Sequence, residues 1–134
     1  MKKIALFAFL VFSVMTKAQT IEAEDHRTVA FIKEDGTVEN SWHAVKGYIK
    51  PDGAVEEYSH AVLGYITADG RIENRKHQII GYLREDGTVE NYKKVVKGYI
   101  KDDGTVEDES HNTIYYAKGL KKQWAATVFF FFVF

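Results

Sequence analysis

The stretch Lys97-Gly98-Tyr99-Ile100-Lys101-Asp102-Asp103-Gly104-Thr105-Val106-Glu107-Asp108 decides the fold, because close copies of it recur upstream at a fixed interval. Its aspartate-glycine pair returns at Asp35-Gly36, Asp52-Gly53, Asp69-Gly70 and Asp86-Gly87, always 17 residues apart. A fixed period over most of a chain is the mark of a repeat architecture. With histidine as the first position, units begin at His26, His43, His60, His77, Lys94 and His111, so all five histidines share one register. The fifth position is Ala30, Gly47, Gly64, Gly81, Gly98 and Tyr115, and the sixth is Phe31, Tyr48, Tyr65, Tyr82, Tyr99 and Tyr116.

Each unit holds two short β-rich runs, one around Gly-Tyr-Ile and one around Thr-Val-Glu, with a turn signal between them. Alternation of period two bounded by turn residues is how half-buried strands read. In Ile49-Lys50-Pro51-Asp52-Gly53-Ala54-Val55 the Pro-Asp-Gly segment suits a type I turn whose glycine takes a left-handed position. Pairing of Lys50 with Ala54 then sets Ile49 opposite Val55, and the same rule pairs Ile66 with Ile72 and Leu83 with Val89. Each of the first five units presents an aliphatic pair on one face and, on the other, a sixth-position aromatic, a usually basic residue and a glutamate. One unit cannot bury its apolar face alone, so the units must stack. The expected fold is all-β: tandem 17-residue repeats forming an antiparallel hairpin meander or barrel-like sheet, with a β-solenoid of one repeat per coil as the alternative.

The ends differ from the middle. Residues 1–18 carry a basic start, an apolar run from Ile4 to Val14 and Thr16-Lys17-Ala18 before Gln19, the pattern of a secretory signal peptide. Residues 19–25 read as a lead-in, 26–127 as six repeats with a degenerate last copy, and 128–134 as a phenylalanine-rich closing strand or tail. No cysteine is present, so no disulfide framework is available. Removing the leader's three lysines takes the formal charge from -1 to -4 and argues against nucleic acid as partner. The run Val128-Phe129-Phe130-Phe131-Phe132-Val133-Phe134 is an aggregation hazard if left open, so it must be covered. It reads as a plug or closing strand, as a strand docking on a second copy or partner, or as a contact with the outer membrane.

Candidate chemistry is thin. The histidines invite a metal reading, but in a meander equivalent residues lie two strands apart, about 9.5 Å, too far to share an ion. The turn aspartates, one per unit, are a turn requirement before they are calcium ligands. No nucleophile elbow, phosphate loop or metal-binding helix occurs, and a catalytic site would break the symmetry that the polar residues keep. No enzyme, cofactor or metal is therefore expected. The candidate ligand-binding residues are Tyr48, Tyr65, Tyr82, Tyr99 and Tyr116, whose flat faces suit glycans, and the candidate association tail is Phe129, Phe130, Phe131, Phe132 and Phe134.

The units Gly47-Tyr48-Ile49-Lys50-Pro51-Asp52-Gly53-Ala54-Val55-Glu56 and Gly81-Tyr82-Leu83-Arg84-Glu85-Asp86-Gly87-Thr88-Val89-Glu90-Asn91 resemble the short tandem repeats of uncharacterised small secreted proteins from Gram-negative bacteria. The basic, then Trp-Ala-Ala, then phenylalanine-rich end from Gly119 to Phe134 resembles the end of such proteins. The expectation is an exported, non-catalytic binding or scaffolding module, periplasmic or extracellular, with outer-membrane association as a variant. Its expected partners are a glycan or cell-wall polymer, another envelope protein or a second copy of the chain. The alternative is a structural protein whose phenylalanine tail drives self-association or envelope attachment.

Overall fold

The computed structural model describes residues 18–132 and 134; the expected leader lies outside them, apart from Ala18. Twelve strands follow in chain order: β1 (Ala18–Ala23), β2 (Thr28–Lys33), β3 (Thr37–Asn40), β4 (Val45–Ile49), β5 (Ala54–Glu57), β6 (Val62–Ile66), β7 (Arg71–Asn74), β8 (Ile79–Leu83), β9 (Thr88–Asn91), β10 (Val96–Ile100), β11 (Thr105–Asp108) and β12 (Thr113–Tyr116). Each pairs antiparallel with its neighbours, and β12 pairs with β1, so the meander closes into a barrel. The hairpin arrangement expected from the turn chemistry is the one present, and the solenoid is excluded.

The register follows from the turns. Lys50 N–H donates to the Ala54 carbonyl and Gly53 N–H to the Lys50 carbonyl, both near 2.9 Å, which sets Ile49 opposite Val55. Ile66 faces Ile72 and Leu83 faces Val89 in the same way. Gly53 has a φ of +92°, and a Cβ there would overlap the carbonyl of Ile66 in the next hairpin. Glycine is required twice over, for the angle and for the space. The Asp52 carboxylate accepts the Ala54 N–H at 3.0 Å, closing the turn through an Asx bond.

Five blades are complete hairpins: β2–β3, β4–β5, β6–β7, β8–β9 and β10–β11. The sixth is made from the two ends of the barrel, with Tyr116 of β12 opposite Glu22 of β1 just as Tyr48 lies opposite Glu56. The stretch expected as a lead-in is thus a barrel strand. Closure removes every free sheet edge.

The inner face is filled by one aliphatic layer and then by the chain's own end. Ile21, Ile32, Ile49, Val55, Ile72, Val89 and Val106 are fully or almost fully buried. Beyond β12 the chain forms a short helix, α1 (Lys122–Ala126), which runs into a single π-helical turn (Thr127–Phe131). Of the closing strand or plug expected for 128–134, no strand forms among the described residues: a strand on the wall would need a free edge, and the closed barrel offers none. Lys122 Nζ reaches Asp102 beside an Asp-Gly turn, and Ala125 and Ala126 pack on Val89 and Ile100. The tail enters through the end of the barrel that carries the Asp-Gly turns.

Inside, the phenylalanines meet the fifth position of successive blades. A Cβ on Gly98 would overlap Phe130, on Gly81 Phe131, on Gly64 Phe132 and on Gly47 Phe134. Tyr115 holds that position in the sixth blade and stacks on Phe129, with ring centroids 4.4 Å apart. The tail assigns one ring to each of blades six to two, in order. Phe132 N–H donates to the Thr127 carbonyl at 3.0 Å, and this i to i−5 bond widens the turn. Successive rings then rotate by less than the 100° of an α-helix, nearer to the spacing between neighbouring blades.

Candidate binding surface

The end opposite the Asp-Gly turns carries six connections of a second kind. In Asn40-Ser41-Trp42-His43-Ala44 the Asn40 N–H donates to the Ala44 carbonyl and the His43 N–H to the Asn40 carbonyl, each at 3.0 Å. This is the hydrogen-bond pattern of the Lys50–Ala54 turn, with histidine where that turn has glycine. His26, His43, His60, His77, Lys94 and His111 all have φ between +64° and +70°, and among the described residues no other non-glycine does. A left-handed residue with a side chain costs about 1–2 kcal/mol, so something must offset it.

The offset comes from the preceding hairpin. His60 Nδ1 lies 2.8 Å from Glu56 Oε1, and its ring stacks on Tyr48 at 4.5 Å and 10°. His77 repeats this with Glu73 and Tyr65, His111 with Glu107 and Tyr99, and His43 with Glu39 and Phe31. His26 takes Glu22 and, across the closure, Tyr116. An aromatic pair contributes about 0.5–1.5 kcal/mol and a hydrogen bond about as much, enough together to balance the strain. Glu39 is only 4% exposed, and its carboxyl is held below the usual glutamate range, first by the His43 bond and then by Lys33 Nζ at 3.1 Å, against the opposing effect of burial.

The fifth connection breaks the pattern. Lys94 Nζ sits 5.6 Å over the Tyr82 ring, and buried Glu90 Oε1 has no hydrogen-bond partner. Its nearest cation, Arg84 Nη1, is 3.6 Å away, beyond hydrogen-bond range.

The frame fixes the two residues before each left-handed position as tips. Asn40 Oδ1 accepts N–H groups from Trp42 and Ala44, Asn74 from Lys76 and Gln78, Asn91 from Lys93 and Val95, and Asp108 from Ser110 and Asn112. The tips themselves differ: Glu24-Asp25, Ser41-Trp42, Tyr58-Ser59, Arg75-Lys76, Tyr92-Lys93 and Glu109-Ser110. Trp42 is 86% exposed, Tyr58 67% and Tyr92 58%. One end of the barrel thus joins a recurring frame to tips that differ from unit to unit.

Of the expected site residues, Tyr48, Tyr65, Tyr82, Tyr99 and Tyr116 stand on the outer wall, half-buried, each with one side covered by a histidine or, at Tyr82, by Lys94. They are brought together with the glutamates and histidines as one ring of stacks rather than as an open platform. Phe129, Phe130, Phe131, Phe132 and Phe134 converge inside the barrel. Beside them lies a pocket of about 430 Å³, lined by Ala30, Tyr115, Phe129 and Phe134 among others, with Glu39, Asn40 and Lys46 as polar members. Neither the pocket nor the pairing of histidine with the previous unit's tyrosine was read from sequence. The common 17-residue register of Glu, His and Tyr was the available signal. No group of three or more His, Asp or Glu residues able to hold a metal ion occurs among the described residues.

Twelve strands cut from one short unit and closed around their own C-terminal segment define a repeat barrel. The chain belongs to the 5-fold beta-flower protein family, whose family model matches residues 17–133. No curated protein and no solved structure matches the chain.

Proposed function

We propose that this is an exported, non-catalytic binding module of the periplasm or cell surface, which holds a glycan or cell-wall polymer through the turn tips at one end of its barrel. The observation that carries the reading is the contrast between a Glu-His-aromatic frame, repeated at five of the six connections, and exposed, differing tips, three of them bearing Trp42, Tyr58 and Tyr92. Flat aromatic faces with a polar edge suit sugar rings, and several weak tips fixed on one rim act together as a multivalent surface. Tyr48, Tyr65, Tyr82, Tyr99 and Tyr116 hold the tips and offer their free edges as a second row of contacts. The secretory pattern of residues 1–18 supports export. The rival use of the phenylalanines for self-association has less support, since the rings are engaged one by one with the wall.

The test is retention of the purified chain on isolated cell-wall polysaccharide. Trp42→Ser, Tyr58→Ser and Tyr92→Ser combined should abolish retention and leave the melting temperature within a few degrees. Retention unchanged by the triple variant sinks the reading. Retention lost after protease treatment of the envelope material assigns the surface to an envelope protein instead of a glycan.

A further inference from the structure

Blades two to six each receive one aromatic ring from the tail at the fifth wall position. The tail's last ring, Phe134, is used on blade two. Blade one holds Ala30 there, and Ala30 lines the pocket of about 430 Å³ together with Val29, Val38, Tyr115, Phe129 and Phe134. The cavity is thus a built consequence of five rings serving six blades. Its size falls in the range of small-molecule sites, about 300–1,000 Å³, and its body is apolar.

The polar groups at its edge set the chemistry of a ligand. Glu39 carries a charge already matched by Lys33 and His43 at 3.1 and 2.9 Å. Asn40 uses its carbonyl oxygen on the Trp42 and Ala44 N–H groups, which leaves its amide N–H groups to donate. Lys46 lines the pocket and forms no ion pair among the described residues. One unmatched cation and one amide donor over an apolar cavity call for an anionic head on an apolar body. We infer that the barrel binds a small amphipathic monocarboxylate of the fatty-acid class, its chain against Ala30 and the phenylalanines and its carboxylate on Lys46 and Asn40. This site is separate from the turn tips, so it stands or falls independently of the polymer-binding reading.

The experiment is calorimetric titration of the full exported chain with dodecanoate, dodecanol and dodecyltrimethylammonium, each below its micelle concentration. Dodecanoate should bind one to one, with the alcohol about tenfold or more weaker and the cation weaker still, the difference expected for a hydrogen bond to a charged group. Lys46→Met should weaken dodecanoate about tenfold and leave the alcohol unchanged. Ala30→Leu should reduce binding of both; because it touches the core, its melting curve is read alongside, and Lys46→Met decides the matter if it fails to fold. Equal affinity for acid and alcohol, indifference to Lys46→Met, or no saturable binding by the native chain overturns the inference.

Discussion

The two ends of the barrel solve one backbone problem in two ways. At the Asp-Gly end the left-handed residue is glycine, with φ near +90° and neighbouring backbone so close that no side chain fits. At the other end φ is near +65°, within reach of an L-residue, and histidine takes the place at five of six connections and Lys94 at the other. Glycine makes the first turn cheap and silent. Histidine makes the second turn costly in isolation and links it to the hairpin before it through a carboxylate and an aromatic ring. One end is closed off by α1 and the turns beneath it, whereas the other ties its loops to the wall through hydrogen bonds and stacks while leaving their tips free to differ.

The largest effect should come from putting a side chain where the first kind of turn excludes one. Gly53→Ala is expected to cost about 3 kcal/mol, from the φ of +92° and the overlap with the Ile66 carbonyl. His60→Gly, the reverse exchange at the other end, should cost no more than about 1 kcal/mol, because lost contacts are offset by relief of strain. Urea denaturation of the two variants measures the contrast, and equal costs would show that the ends are not different in kind. Next comes His77→Ala, which keeps the strained angle but loses the Tyr65 stack and the Glu73 bond; about 1–2 kcal/mol is expected. Were it neutral in the same assay, the ring of stacks would not be holding the turns.

Lys94→His should move in the opposite direction. It supplies a ring nitrogen to Glu90 Oε1, the one buried side-chain atom without a partner among the described residues, and stability should rise by about 1 kcal/mol. A fall in melting temperature would mean that the Lys94 contact with Tyr82 outweighs the missing bond. The smallest effect is a pH dependence. The Glu39 carboxyl titrates below its ordinary value of 4.5, so its stabilisation is complete above that value and is lost as pH falls through the lowered one. His43→Gln removes the main cause and should shrink the Glu39 part of the fall in melting temperature between about pH 5 and pH 3. The turn aspartates Asp35, Asp86 and Asp103 are lowered mainly by backbone N–H bonds from Thr37, Thr88 and Thr105, so a background acid dependence should remain.

Much of this was legible in the residues. The 17-residue interval, the Asp-Gly turns and the alternation around Tyr48-Ile49 specify hairpins and their register, because both are local and repeat five times. The histidine turns were harder to read. Their geometry depends on Glu56 and Tyr48 reaching His60 across a unit boundary drawn at the histidine itself. The tail was legible as something that must be covered, yet its helical form was not, since a run of phenylalanine has no period with which to choose helix or strand. The pocket depends on counting rings against blades, which requires the closure of β12 on β1 to be known.

That closure also governs how the ring comes into being. Five blades are neighbours in sequence and can form locally, but the sixth waits for strands at opposite limits of the barrel to find each other, a slow, long-range step. Until then the meander is an open ribbon with two bare edges, and the tail has no enclosed interior to occupy. The two edges that meet within one chain are equally complementary between two chains. A ring that opens at β1 and β12 therefore has a ready route to exchanging ends with a second copy, and dilution during refolding should favour the monomer.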